Sequence, residues 1–550
     1  MAEAPPRSAS LKAARASPRG TAAEVPWTKA VPAAKLAARG RCVVKLGKRQ
    51  IALFQHNGTI LACNNRCPHE GYPLVEGTLD DRCVLTCNWH NWKFDLESGA
   101  NLMGFDELPT YETRMADGHV WVRLAEEPPV RRQAEALRRL RTAFDDHDYE
   151  RLARELARFK AAGADPVTAV AEAIRWSHDR FEFGMTHAYA GAADWLALHD
   201  AHPRDAEVRL ICLLEAIGHM SWDALRQLRY PYARRRRAYD AAALISAIEA
   251  EDEPAAVALV RGALGAGLGF ADLEAPLARA ALAHYADFGH CAIYVAKAGE
   301  LIGRLGPDVQ EPVLLALVRQ MIFAAREDQI PAFRGYAERR RRWPARAGRD
   351  ARVPDTATLA GLSVNRAMDW VVDAAARHTP EALHRALLLA NGEAMLAFDS
   401  RVQERTDNPV SANVGWLDFS HGLTFGNAVR VLAGRHPALW PEVLLQMACF
   451  AGRNAPFVDR AQDGATWIPA SSERFWSDVE ARLFDHALRD YIFSVHLVKT
   501  AMAVRAETGQ NRPGDAVLLG ALNRLLHSPL KQKHARRTAH QALAFVAKEG

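Results

Sequence analysis

The chain carries Cys67-Pro68-His69 and, after the seventeen residues 70–86, Cys87-Asn88-Trp89-His90. Each segment offers one thiol and one imidazole, so two facing loops would bring two sulfur and two nitrogen donors together. A [2Fe–2S] cluster with one iron held by two cysteines and the other by two histidines needs this set of ligands. Zn²⁺ also accepts two cysteines and two histidines.

The order of the donors favours the cluster over zinc. A zinc finger groups its cysteines and its histidines, whereas each segment here carries one of each. The second segment continues as His90-Asn-Trp-Lys-Phe-Asp-Leu-Glu-Ser-Gly99, and the whole stretch resembles the Rieske family. The resemblance implies a cluster held by Cys67, His69, Cys87 and His90, with the histidine-bound iron taking the electron and the outer imidazole edges releasing it.

Two loop positions indicate the type of Rieske protein. Rieske proteins of respiratory complexes carry a further cysteine in each loop, and the two form a disulfide. The matching positions here are Tyr72 and Trp89. The sequence is therefore similar to the ferredoxin and oxygenase type, which implies a potential toward the low end of a range of roughly −150 to +300 mV.

Short strands surround the two segments. Turns at Gly47-Lys48 and Asn57-Gly58 separate β-branched and aromatic stretches, and Asn-Gly is a strong hairpin signal. The strands are predicted at residues 41–46, 49–54, 59–63 and 119–124. We therefore expect a small antiparallel β domain over residues 25–127, after a disordered tail at residues 1–24.

From about residue 131 onward the sequence is rich in Ala, Leu and Arg with helical spacing, which predicts a large all-α domain. Collinear similarities predict that this domain is duplicated, with copies at residues 131–342 and 363–550. His187 aligns with His421, 234 residues later, and His290 aligns with His496, 206 residues later. The predicted fold class is thus a multidomain protein with a β Rieske domain followed by a duplicated helical domain.

The four aligned histidines are predicted to form a catalytic site. Imidazoles that converge between helices are how helical bundles hold iron, so the site would bind a second iron. The alternative is that each histidine is a hydrogen-bonded core residue. Candidate carboxylate companions are Glu182, Asp287, Asp418 and Asp490, and Glu215 with His219 is a further candidate pair.

The helical half lacks the Asp-x-x-His-(x)₄-His pattern of ring-hydroxylating oxygenases. Its duplicated, histidine-bearing helices are similar to those of the questin oxidase-like proteins. That resemblance implies oxygen insertion into aromatic ketones.

Composition limits the other possibilities. The 550 residues carry a net charge of +5, with 49% hydrophobic and 25% charged residues, which is typical of a soluble globular protein. No run of eighteen apolar residues predicts a membrane span, and the eight scattered cysteines fit a reducing cytoplasm. Arginine runs at residues 234–237 and 339–342 lack the aromatic residues of a nucleic-acid site, so no nucleic-acid partner is expected.

The first hypothesis is an oxidoreductase of the oxygenase kind. Its Rieske cluster would receive electrons from a ferredoxin or a flavin reductase and deliver them to the helical domain, where a small organic substrate binds. The alternative is an electron carrier or redox sensor whose helical half is only a binding scaffold. A metal content above that of the cluster separates the two.

Overall fold

The computed structural model describes residues 25–125, 127–225, 228–509 and 512–549. The chain divides into two compact units, with the boundary between Pro128 and Pro129. The predicted tail at residues 1–24 lies outside the described residues.

The first unit is built from antiparallel strands. The strands are β1 (Trp27–Pro32), β2 (Arg41–Leu46), β3 (Arg49–His56), β4 (Thr59–Asn64), β5 (Thr78–Leu79), β6 (Val84–Thr86), β7 (Lys93–Asp95), β8 (Asn101–Met103), β9 (Thr110–Ala116) and β10 (His119–Arg123), with a short helix α1 (Ala33–Ala37) after β1. One sheet has the order β1-β10-β9-β4-β3-β2 and a smaller one the order β5-β6-β7-β8.

The hairpins form where the sequence predicts them. Asn57 and Gly58 both adopt left-handed backbone angles, φ +47° and +77°, as a tight turn between β3 and β4 requires. One apolar cluster, which includes Phe54, Leu74 and Phe94, surrounds the two buried cysteines Cys67 and Cys87. The predicted antiparallel β domain is confirmed.

The second unit is helical. In chain order it contains α2 (Pro129–Asp146), α3 (Tyr149–Ala161), α4 (Thr168–Ser177), α5 (His187–Ala201), α6 (Ala206–Leu225), α7 (Ala241–Glu249), α8 (Glu253–Gly265), α9 (Phe270–Leu282), α10 (His290–Leu305), α11 (Gln310–Phe323), α12 (Tyr336–Arg341), α13 (Val364–Ala375), α14 (Pro380–Leu396), α15 (Trp416–Arg435), α16 (Trp440–Asn454), α17 (Ser472–Phe484), α18 (Tyr491–Thr508), α19 (Asp515–His527) and α20 (Ala535–Val546). The predicted large helical domain is confirmed.

Four helices form the centre of this unit. α5 packs on α10, α10 on α15, α15 on α18 and α18 on α5, which closes a ring. α6 lies against α5 as α16 lies against α15, and α11 lies against α10 as α19 lies against α18. This order is what two copies of one helical unit would produce, and the internal duplication stays a prediction.

Arginines of the second predicted basic run are engaged within the fold. Arg339 and Arg342 pair with Asp369, and Arg340 pairs with Glu442, at 2.5–3.0 Å. These three residues therefore tie α12 and the residue after it to α13 and α16. None of the described helices is long and apolar enough to cross a membrane.

Candidate metal centres

Two loops of the β domain share one backbone conformation. One follows β4 and begins at Cys67; the other joins β6 to β7 and begins at Cys87. In each loop the cysteine N–H donates to the carbonyl five residues later, and the N–H four residues later donates to the cysteine carbonyl, at 2.8–2.9 Å. The residue four positions after the cysteine has a left-handed backbone in both loops, φ +78° at Gly71 and +61° at Asn91. The two loops thus share their backbone hydrogen bonds, while the histidine stands two residues after Cys67 and three residues after Cys87.

The donor atoms of the two loops converge. Nδ1 of His69 and Nδ1 of His90 lie 3.1 Å apart. Cys67 and Cys87 are 3% and 1% exposed, and burial together with the adjacent Cys87 thiol raises the pKa of Cys67 to about 12. Two thiols and two imidazole nitrogens that face one another in an apolar pocket fit a cluster with two irons, one bound by sulfur and one by nitrogen.

The histidine side of this site reaches the surface. The His90 side chain is 40% exposed, while the His69 ring stacks on Trp92 with centroids 4.6 Å apart. Trp89, which precedes His90, and Phe105, whose ring lies 6.0 Å from the Trp92 ring, are also exposed. The imidazole edges are therefore open for an electron to enter or leave.

The disulfide positions of respiratory Rieske proteins are aromatic here. Tyr72 and Trp89 face each other across the two loops, with ring centroids 5.7 Å apart and planes tilted by 30°. All eight cysteines are unpaired. An aromatic contact therefore takes the place of the covalent bridge.

Comparison with known proteins agrees with this geometry. The family model of the Rieske [2Fe-2S] domain matches residues 26–111. The 3-phenylpropionate/cinnamic acid dioxygenase ferredoxin subunit of Photorhabdus laumondii is 34% identical over 79 residues, which are 14% of this chain and 75% of that protein. Through this domain, the chain belongs to the Rieske [2Fe–2S] family.

Other relatives of the Rieske domain are also ferredoxins. The ferredoxin component of the alkene monooxygenase system of Xanthobacter autotrophicus is 37% identical over 11% of this chain and 49% of that protein. The ferredoxin of carbazole 1,9a-dioxygenase from Nocardioides aromaticivorans IC177 is 16% identical over 18% of this chain and 96% of that one, with a TM-score of 0.17. The two sequence relatives, at 34% and 37% identity, relate the Rieske domain to ferredoxin components of oxygenase systems. The family model does not extend to the helical domain, whose similarity to questin oxidase-like proteins stays a prediction.

The helical domain brings together the four histidines that the predicted repeat aligns. Nε2 of His290 lies 2.9 Å from Nε2 of His187 and 2.9 Å from Nε2 of His421. Nε2 of His496 lies 3.1 Å from Nε2 of His421. We call these four residues the histidine centre; one ligand atom from each lies within 4.8 Å of all the others.

The four rings form a flattened square rather than a tetrahedron. Centroids of rings that follow one another around the helix ring are 4.5–4.8 Å apart. The diagonal from His187 to His421 is 6.3 Å. This spacing of the rings differs from the closed tetrahedral sites typical of structural zinc.

The outer nitrogens hold the rings in place. In three of the rings the imidazole donates to the backbone three or four residues earlier, which turns Nε2 inward. The backbone partners are Asp287 for His290 at 2.5 Å, Leu417 for His421, and Ile492 for His496 at 2.6 Å. Nδ1 of His187 lies 3.2 Å from the hydroxyl of Tyr294. Metal-binding histidines are commonly oriented by such partners.

The surroundings oppose protonation of the centre. Burial, followed by neighbouring charge, lowers the pKa of His187, His421 and His496 well below 6.5. Lys499 contributes to that charge; its Nζ has no hydrogen-bond partner among the described residues, and burial lowers the pKa of this amine to about 7. In His421 and His496 the other ring nitrogen donates to the backbone, so the neutral ring carries its free lone pair on the inward Nε2.

A strained turn precedes His290. Asp287, Phe288 and Gly289 all adopt left-handed angles, φ +47°, +47° and +79°, immediately before His290. Glu327 holds the turn, since its Oε2 accepts the Phe288 N–H at 2.7 Å. A Cβ on Gly289 would lie 2.5 Å from the Phe425 ring, so glycine is required there.

The predicted carboxylate companions separate into two groups. Glu182 and Asp287 line a cavity of about 360 Å³ that also contacts His187 and His290. Asp418 instead accepts the Gly415 N–H and pairs with Arg453, and Asp490 is the residue before α18. Within the described residues, no carboxylate joins these four histidines as a further possible metal ligand.

Of the other predicted pair, Glu215 makes its contacts outside the histidine centre, and His219 lies beside the cavity, with its Nε2 3.6 Å from Asp223. Glu215 accepts from Tyr149 at 2.8 Å and lies 3.1 Å from Nε2 of His486, while His219 stacks on Tyr491. Sequence reasoning missed Tyr294 and Lys499. Their helical spacing of four residues from His290 and three from His496 is the signal that could have identified them.

Proposed function

We propose that the chain is an oxidoreductase of the oxygenase kind. In this proposal the Rieske cluster supplies single electrons to a transition-metal ion held by His187, His290, His421 and His496. The helical domain would bind a small organic substrate beside that ion. A ferredoxin or a flavin reductase would reduce the cluster.

The inward orientation of the four Nε2 atoms carries the proposal. Lone pairs of neutral imidazoles repel one another, and atoms at 2.9–3.1 Å need a cation or a proton between them. Burial disfavours protons at three of these rings, as their lowered pKa values indicate. A bound metal ion satisfies all four nitrogens at once.

The donor set favours a redox metal. Imidazoles bind iron, copper, nickel and zinc, and a flattened square of imidazole rings suits ions with tetragonal coordination. Zinc has no redox chemistry, so a one-electron carrier in the same chain favours iron or copper. When bound, such an ion would supply the site at which dioxygen or the substrate is activated.

The residues of the chain supply the rest of the site. The backbone bonds orient the rings, and the apolar helix ring keeps water from one side of the histidine centre. The cavity beside His187 and His290 gives a substrate access to the other side. Tyr294 lies against His187 and is placed to hydrogen-bond a group in that cavity.

Metal analysis of the full chain tests the proposal. We expect transition metal beyond the two irons of the cluster, measured by mass spectrometry with acid-labile sulfide as the reference for the cluster. His421→Gln should lose the additional metal and keep the sulfide. His384→Gln is the matched control, since His384 is equally buried but donates to the Gly426 carbonyl away from the histidine centre.

Two results would reject the histidine centre as a metal site. One is a wild-type chain that holds only the cluster irons after expression with iron and copper supplied. The other is additional metal that His421→Gln retains. The first result favours the electron-carrier alternative.

A further inference from the structure

The cavity beside the histidine centre is acidic. Three carboxylates line it, from Glu182, Asp223 and Asp287, and no lysine or arginine is among its lining residues in the described part of the chain. The histidines on its wall add no formal charge while a metal ion occupies their lone pairs. A ligand in this cavity therefore meets negative charge and, on one side, the metal.

The polar atoms that remain available in the cavity are mainly acceptors. Within the described residues, Glu182 has no hydrogen-bond or ion-pair partner. Asp223 uses one oxygen to accept the Thr186 hydroxyl at 2.6 Å, and Asp287 uses one to accept the Gln320 amide at 3.1 Å. Gln320 is 5% exposed, and its Oε1 has no partner. Buried acceptors of this kind are satisfied by a ligand that donates hydrogen bonds.

Aromatic and sulfur side chains form the rest of the wall. Phe181, Phe183 and Met185 line the cavity together with Tyr294. Phe183 is 58% exposed and meets Phe323 edge to face at 5.6 Å. Aromatic faces close to carboxylates attract organic cations, because the ring quadrupole and the carboxylate charge act in the same direction.

We propose that this cavity binds an organic amine in its ammonium form, with the ammonium among Glu182, Asp223 and Asp287 and the apolar part against the phenylalanines. The inference rests on the proposed function, since it names the class of the small organic substrate. An aromatic carboxylate would meet like charge from the three carboxylates and no lysine or arginine in the described lining, so the metal ion would be its one cationic partner.

Three probes of similar size separate cationic, neutral and anionic ligands. Benzylamine is a cation at pH 7, benzyl alcohol is neutral and benzoate is an anion. In calorimetric titrations of the full metal-loaded chain, we expect benzylamine to bind most tightly and benzoate most weakly. Glu182→Gln and Asp223→Asn should each weaken benzylamine by about two- to fivefold, as expected for a partly exposed ion pair, and leave benzyl alcohol unchanged.

Glu473→Gln is the control, because Glu473 is an exposed carboxylate at the start of α17, outside the cavity lining. Benzoate binding as tight as that of benzylamine would overturn the inference, as would benzylamine binding that neither cavity variant weakens. Metal content of the same samples keeps the two proposals apart. A metal-free chain that prefers benzylamine contradicts the proposed function alone, and a metal-loaded chain that prefers benzoate contradicts only the amine.

Discussion

The two centres use opposite nitrogens of the imidazole ring. In the Rieske loops the Nδ1 atoms of His69 and His90 face each other, whereas Nε2 atoms meet in the histidine centre. Nδ1 is the nitrogen nearer the backbone, so it suits ligands on two tight loops that approach closely. Nε2 reaches further, which four helices arranged in a ring require. In three rings of the histidine centre, a hydrogen bond from the other nitrogen to a backbone carbonyl fixes this choice.

Replacing one Rieske histidine tests the ligand assignment at this scale. His90→Cys should abolish the Rieske electron paramagnetic resonance spectrum, because a thiolate donates more charge to the iron than an imidazole. Either the cluster is lost or its potential falls toward that of plant-type ferredoxins, about −400 mV. Potentiometric titration followed by that spectrum measures the change.

His119→Gln serves as the control for this substitution. His119 is a half-buried β10 residue whose Nδ1 contacts the Asp117 carbonyl, away from both cluster loops. This variant should keep the parent spectrum and potential. A His90→Cys protein with the g-anisotropy and potential of the parent would show that His90 is not a ligand.

Helix starts explain why the histidine centre is open on one side. α5 and α10 begin at His187 and His290 themselves, whereas α15 and α18 begin five residues before His421 and His496. The additional turn and a half of helix before His421 and His496 covers these two histidines. The cavity therefore opens at the first pair, where a loop and the left-handed turn replace helix.

Glu327 makes the turn before α10 sensitive to pH. Burial raises the pKa of its carboxyl from 4.5 to about 8, although the Phe288 N–H opposes the shift. Between these values the folded protein keeps a proton that the unfolded chain has lost. The free energy of unfolding of the wild type should therefore fall as pH rises from about 4.5 to about 8, by up to about 1.4 kcal/mol per pH unit from this group.

Glu327→Gln removes this dependence, because an amide accepts the Phe288 N–H without titrating. Denaturant unfolding between pH 5 and pH 8 should show the stability of the wild type declining relative to that of the variant. Glu381→Gln, at an exposed position at the start of α14, should follow the wild type. Parallel pH curves for wild type and Glu327→Gln would contradict a buried, protonated Glu327.

Elements set by local chemistry could be predicted from the sequence, and those set by distant partners could not. The Asn57-Gly58 hairpin needs only its own turn residues. The two Rieske loops follow from the paired cysteine and histidine motif. Asp287, a predicted carboxylate companion, lies in a left-handed turn that depends on Glu327, 40 residues later. Helical spacing contains no information about such a contact.

The predicted repeat was the signal that extended prediction beyond local structure. No single histidine in an apolar helix identifies itself as a ligand, but alignment of the two predicted copies selected the four that meet. The choice of Asp418 as a carboxylate companion did not anticipate that Arg453 on α16 binds its carboxylate. Pairing between side chains of different helices is decided by the packed fold.

At the scale of the molecule, each domain has its own apolar core. The core clusters of the β domain involve buried residues between Val31 and Val122, and that of the helical domain involves buried residues between Ala136 and Leu525. Substitutions confined to one core are therefore expected to leave the other domain folded. This separation allows the electron-transfer and histidine centres to be disabled one at a time.

His496→Ala tests the division of labour. It removes a ligand of the histidine centre, and we expect the cluster spectrum to stay intact while oxygen-dependent reoxidation of the chemically reduced cluster slows, measured by stopped-flow absorbance. The helical domain should lose stability on the order of 1 kcal/mol, typical of a single substitution, measured by circular dichroism at 222 nm. His384→Ala should lose comparable stability and keep the reoxidation rate. If the four histidines are only core hydrogen-bonders, His496→Ala should unfold the helical domain; a folded variant with unchanged reoxidation and unchanged metal content would remove the histidine centre from the electron path.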